Sequence, residues 1–131
     1  MKLAMGPEPD QIEELMSGPA DTPVVMVNLL RFKERADVPG EDIPGAESYL
    51  RYAARMRRIV EGAGGRFIWS GRVDSQVIGR SDVPFDVIGL VEYPSREAFL
   101  ATASSPEVRE IGGHRAAGLE GQWLIATTEN A

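Results

Sequence analysis

One stretch constrains this chain more than any other. Val24 to Phe32 reads VVMVNLLRF, an apolar run interrupted only by the amide of Asn28 and the guanidinium of Arg31. Rich in Val and Leu and bounded by Pro23 and Lys33, it reads as a strand buried on both faces. Period two puts Val24, Met26, Asn28, Leu30 and Phe32 on one face and Val25, Val27, Leu29 and Arg31 on the other. Every other element has to pair with this strand or pack on it.

The chain around it has 131 residues, enough for one domain that buries roughly two-thirds of its unfolded surface without staples. Without cysteine there is no disulfide framework, thiolate metal site or thiol nucleophile. No apolar run approaches the ~20 residues of a membrane span, and the opening MKLAMGPEPD lacks a signal core, so a cytoplasmic location is expected. A net charge of −6 argues against a general nucleic-acid binder. The charges are uneven, however: Arg51, Arg55, Arg57, Arg58, Arg66 and Arg72 fall close together. A solvated helix face explains such a cluster, and an anion-binding or subunit-contact role is the alternative.

The remaining elements follow in order. After a loose start over residues 1–9, Asp10 and Glu13 form a variant capping box for a short helix with Ile12, Leu15 and Met16 on one stripe, stopped by Gly18 and Pro19. Lys33 to Gly45 is a loop. Ala46 to Glu61 is the clearest helix, with Tyr49, Ala53, Met56 and Val60 at helical spacing, ended by the GAGG run that begins at Gly62. Arg66 to Val73 is a strand with a bulge expected at Gly71, and Phe85 to Tyr93 is the next strand. Ser95 caps a helix that breaks and restarts at Ser105–Pro106. That restart is expected to end at Gly112 and Gly113, each costing ~1 kcal/mol in a helix interior. Gln122 to Thr128 is the last strand.

This order, β-α-β-β-α-β behind a short N-terminal extension (1–22), is the ferredoxin-like split βαβ: an α+β fold whose four-stranded antiparallel sheet carries helices on one face. Right-handed crossovers put the first and third strands at the centre. The other face is left open and apolar, so a homodimer that closes two sheets into a barrel is expected. We assign Val25, Val27 and Leu29 to the side under the helices, and Met26, Asn28 and Leu30 to the barrel interior.

The segments VVMVNLLRFK, YLRYAARM, GGRFIWSGRV, FDVIGLVEYPSREAFL, SPEVREI and HRAAGL, in this order, resemble the domain-of-unknown-function family DUF1330 of the dimeric α/β-barrel superfamily. The resemblance spans about Val24 to Thr128. It implies a homodimer with a cleft between sheet and helices, and it implies no particular reaction.

Several residues stand out as site candidates. Asn28 is an amide in an apolar strand and needs partners or a ligand. His114, the only histidine, suits general acid/base work, and Arg115 beside it suits anchoring an anion. Both reach one pocket only if the two preceding glycines make the backbone irregular. Tyr52, Arg31 and Trp69 complete the ligand-binding set. Asp86 and Glu92 lie ~20 Å apart along one strand, too far to act as a carboxylate pair. One histidine and no cysteine argue against a metal site.

Two classes of function fit. The first is a metal-free, cofactor-free small-molecule enzyme of oxygenase or isomerase type, acting on an anionic or oxygen-bearing metabolite, with Asn28 and Arg115 polarising an oxygen and His114 moving a proton. The second is a non-catalytic ligand-binding or assembly module. Haem binding through Asn28, Trp69 and His114 is a weaker third reading, taken from residue types found among superfamily relatives.

Overall fold

A computed structural model describes residues 2–131. In chain order the elements are α1 (Pro9–Met16), β1 (Val24–Phe32), α2 (Gly45–Gly62), β2 (Arg66–Arg72), β3 (Val87–Tyr93), α3 (Arg96–Ala103), α4 (Pro106–Gly118) and β4 (Leu119–Thr127). The sheet order is β2-β3-β1-β4, with β1 antiparallel to both β3 and β4. This is the ferredoxin-like arrangement expected from the element order, with the two most apolar strands at its centre.

The core forms where β1 meets the helices. Val24 and Met26 pack with Met56 and Val60 of α2, Ile111 of α4 and Tyr93 of β3. Burial of such side chains contributes roughly 1.5–3 kcal/mol each, which is what holds the helical layer down. The side of β1 under the helices is therefore that of Val24, Met26, Asn28 and Leu30. The assignment from sequence was inverted: Val25, Val27 and Leu29 face the uncovered side. Alternation correctly identified which residues share a face. Because both faces are apolar, only the docking of α2 and α4 selects the covered one.

Local signals placed most boundaries, with informative exceptions. Ser95 and Ser105 cap α3 and α4, their Oγ atoms accepting from the amides of Ala98 at 3.0 Å and Val108 at 3.3 Å. The capping box of α1 starts earlier than expected, with Glu8 as N-cap and Gln11 as its partner. From Lys2 onward, the only part of the 1–9 segment within the described residues, the start is tied down: Ala4 exchanges backbone hydrogen bonds with Gln122 of β4 at 3.3 and 3.0 Å. The bulge in β2 lies between Phe67 and Trp69, whereas Gly71 sits under the Trp69 ring. A methyl group there would lie 2.5 Å from Trp69 Cη2.

The largest departure is α4, which runs straight through Gly112 and Gly113 to Gly118. Tertiary contacts outweigh the propensity cost. Ile111 is buried against α2, and Ser48 of α2 donates its hydroxyl to the His114 carbonyl at 2.8 Å. The last carbonyls are satisfied as well: Lys33 donates Nζ to Ala116 O and its amide to Gly118 O, and the Asp37 amide reaches Ala117 O. The start of α2 and the end of α4 touch backbone to backbone, since a Cβ on Gly45 would lie 2.6 Å from the Gly118 carbonyl oxygen.

These glycines should respond oppositely to alanine. Nothing within 4 Å obstructs a methyl group on Gly112 or Gly113. Gly112→Ala and Gly113→Ala are each expected to raise stability by about 0.5–1 kcal/mol in urea unfolding. Gly118→Ala has to push α2 away and should cost about 1–3 kcal/mol.

Candidate functional site

Across the helix-facing side, one row of the sheet lacks large side chains over its centre. Ser70 of β2 pairs with Gly89 of β3, Gly89 with Asn28 of β1, and Asn28 with Leu124 of β4. The adjacent row, Phe67–Val91–Met26–Ala126, is core. Met26 and Leu30 are 2% and 4% exposed, yet Asn28 between them is only partly buried, so solvent reaches the middle of the sheet at this point. A Cβ placed on Gly89 would meet nothing within 4 Å except the Asn28 Cβ, at 4.0 Å. Gly89 and Asn28 thus form an open row on the helix-facing side of the sheet, the floor of a candidate cleft.

Its walls are polar at their tips. From Asn28, Nδ2 makes long bonds to the carbonyls of Met26 (3.4 Å) and Gly89 (3.5 Å), and Oδ1 accepts from Gln122 Nε2 at 3.5 Å. Gln122 Oε1 in turn accepts from Arg115 Nη2 at 3.1 Å. The same guanidinium nitrogen donates to the Met5 carbonyl at 2.6 Å, tying the N-terminal segment to the cleft. From α2 come Tyr49 and Tyr52, their rings 5.3 Å apart, with Phe32 5.3 Å beyond Tyr49. Tyr93 of β3 lies in the core beside them, edge-on to Phe99 at 5.1 Å.

Tyr49, Tyr52 and Tyr93 are all the tyrosines of the chain. Burial raises all three phenols above their ordinary range, Tyr49 and Tyr93 strongly. The Arg115 charge opposes this at Tyr49 and Tyr52, and the phenol of Tyr52 reinforces it at Tyr49 and Tyr93. None of the three hydroxyls has a hydrogen-bond partner among the described residues, and each still touches solvent-accessible space. At neutral pH the cleft therefore presents neutral phenol donors, two amides and one cation. Such a set binds oxygen atoms and stabilises negative charge on them.

The sequence-derived set divides accordingly. Asn28, Tyr52 and Arg115 converge on this cleft. His114 does not join them: regular geometry in α4 turns adjacent residues about 100° apart, so Arg115 points into the cleft and His114 to the outer side of α2 and α4. The irregular backbone that would have brought the pair together is absent because α4 does not stop at the glycines. Arg31 is held on the opposite sheet face by Glu120 at 2.8 Å and by the Pro84 carbonyl at 3.0 Å. Trp69, paired with Leu90, lies on that face too and is 56% exposed. Asn28, Trp69 and His114, the trio considered for haem, thus occupy three separate surfaces. Among the described residues, no three His, Asp or Glu side chains come together as a metal site. Gly89, Gln122 and Tyr93 were missed. A glycine inside the strand pattern FDVIGLVEY was a readable signal of open space, whereas Gln122 and Tyr93 carried none.

The fold is that of a ferredoxin-like α+β protein, and the candidate site lies between its sheet and helices. The chain belongs to the family described as Domain of unknown function (DUF1330), which it matches over residues 41–128. It is similar to the RPA0582 protein of unknown function from Rhodopseudomonas palustris, with 29% identity over 99% of both chains and a TM-score of 0.87. More distant folds of the same kind include a hydroxynitrile lyase from Passiflora edulis (13% identity, 84% of this chain and 95% of that one, TM-score 0.60). Another is SnoaB, a cofactor-independent oxygenase from Streptomyces nogalater, at the same identity and coverage with a TM-score of 0.57. Among curated proteins, none matches the sequence. No helix among the described residues is long and apolar enough to cross a membrane.

The raised phenols set a pH limit on stability. Each favours its protonated form more in the folded than in the unfolded chain, so its contribution is complete below the unfolded value of about 10 and is lost as pH rises above it. Alkaline titration should show phenolate absorbance appearing together with loss of the native circular dichroism signal. A native-state titration of all three tyrosines near pH 10 would contradict the burial described.

Proposed function

We propose that this protein binds a small, oxygen-bearing anionic metabolite in the sheet–helix cleft and acts on it as a metal-free enzyme, stabilising negative charge on a substrate oxygen. The observation that carries this reading is two partly buried phenols without hydrogen-bond partners, Tyr49 and Tyr52, which feel the Arg115 charge, with Asn28 joined to Arg115 through Gln122. Arg115 anchors the anion. Asn28 and the phenols polarise the oxygen where charge develops, in a site whose low dielectric strengthens each contact. The hydroxynitrile lyase and cofactor-independent oxygenase on the same fold support this class of chemistry.

No carboxylate or imidazole in the described cleft is placed to take a proton, which also favours a second reading, binding without turnover. On the enzyme reading the proton is lost to solvent or to a second substrate. The two readings share the same oxyanion site and separate once a substrate is tested for turnover.

The open sheet face belongs to the same proposal, with a second copy of this chain as its occupant. Its centre is apolar, formed by Val27, Leu29, Ile88, Leu90, Trp69, Trp123 and Ile125. Its corners carry the ion pairs Arg31–Glu120 and Arg66–Glu92, the apolar-centre, polar-rim pattern of a protein interface.

The oxyanion site is tested with para-nitrophenol, whose phenolate is coloured. Saturable binding that favours the phenolate at fixed pH is expected, weakened about tenfold or more by Arg115→Gln and a few-fold by Tyr52→Phe. No saturable binding, or equal binding by both variants, would remove the site. For the sheet face, Leu90→Glu should convert a dimer to a monomer in sedimentation velocity, and an unchanged sedimentation coefficient would exclude that face.

A further inference from the structure

His114 and the arginine cluster, left unused by the cleft, meet on the outer side of the helical layer. Arg51, Arg55 and Arg58 recur at i, i+4 and i+7 along α2 and so share one helix face. With Ala54 and with His114 from α4 they line an open concavity of about 350 Å³. Four arginines elsewhere in the chain are engaged by acids: Arg31 by Glu120, Arg35 by Asp42, Arg57 by Glu61 and Arg66 by Glu92. Arg96, Arg109 and Arg115 instead donate to carbonyls or neutral side chains. Within the concavity only Arg51 is so engaged, through a bidentate contact with Glu41 at 2.8 and 3.0 Å. Neither Arg55 nor Arg58 makes an ion pair or hydrogen bond among the described residues.

Three like charges on one helix face repel one another, and Glu41 offsets only one of them. In a chain with 20 acidic and 14 basic residues, keeping this cluster nearly free of acids works against stability unless something anionic occupies it. We propose that this concavity binds the phosphate group of a small phosphorylated ligand, at a site separate from the sheet–helix cleft. A phosphate carries about −1.5 to −2 charges and three acceptor oxygens, which matches two unpaired guanidiniums with an imidazole beside them. Guanidinium forks bind such oxygens in pairs. Five lining residues suit one head group, and the overall negative charge opposes an extended polyanion.

Because the chain has one histidine, its imidazole proton resonance is assigned without labelling. Inorganic pyrophosphate is titrated against the protein, with sodium chloride at matched ionic strength as control. A saturable shift of the His114 signal is expected with pyrophosphate and not with chloride. The double variant Arg55→Gln/Arg58→Gln should weaken that binding by at least about tenfold while melting no lower than the parent, since it relieves the like-charge repulsion. Glu41→Gln, which frees Arg51, should tighten it. A shift that chloride reproduces would show a solvated helix face and overturn the assignment. Saturable binding undiminished in the double variant would also overturn it, as would retention on heparin without any response to pyrophosphate, or weaker binding by Glu41→Gln.

Discussion

The backbone contact between Gly45 and Gly118 is the constraint on which the rest of this structure turns. It lets the start of α2 and the end of α4 approach more closely than any side chain would allow, and Lys33 and Asp37 complete the junction by satisfying the last carbonyls of α4. With the helices fixed there, Met56, Val60 and Ile111 descend onto Val24 and Met26. The packing seals one end of the sheet and leaves the Gly89–Asn28 row open. Core and cleft are two consequences of one helix crossing.

That geometry also explains the chemistry on each side of the helical layer. Side chains on the inner surface of α2 and α4 lose water, so Tyr49 and Tyr52 are held as neutral donors near a cation. Those on the outer surface keep their water, and there Arg55, Arg58 and His114 line a shared concavity. Regular helix geometry is what sends Arg115 to one environment and its neighbour His114 to the other.

Much of the architecture was legible because it rests on local rules. The apolar run at Val24–Phe32, the helical spacing of Tyr49, Met56 and Val60, and the serine caps at Ser95 and Ser105 each reflect short-range physics. Element order then left a single topology. Of the site, Asn28, Tyr52 and Arg115 could be picked out as polar groups in apolar or interfacial settings. Arg31 and Trp69 looked equally suitable, and nothing in residue type says which face of a two-sided apolar strand receives the helices.

By itself, then, the sequence determined the strands, the helices, their order and the alternation along β1. Local sterics and hydrogen bonding decide those properties within a few residues. Tertiary structure alone decided three things: that α4 continues through Gly112 and Gly113, that Asn28 lies under the helices, and that His114 parts from Arg115. Each depends on contacts between residues far apart in the chain, such as the Ser48 hydroxyl on the His114 carbonyl, whose energy outweighs a propensity cost of about 1 kcal/mol per glycine. The amide in the apolar run that first drew attention lies on the helix-facing side of β1, opposite Gly89 and only partly buried.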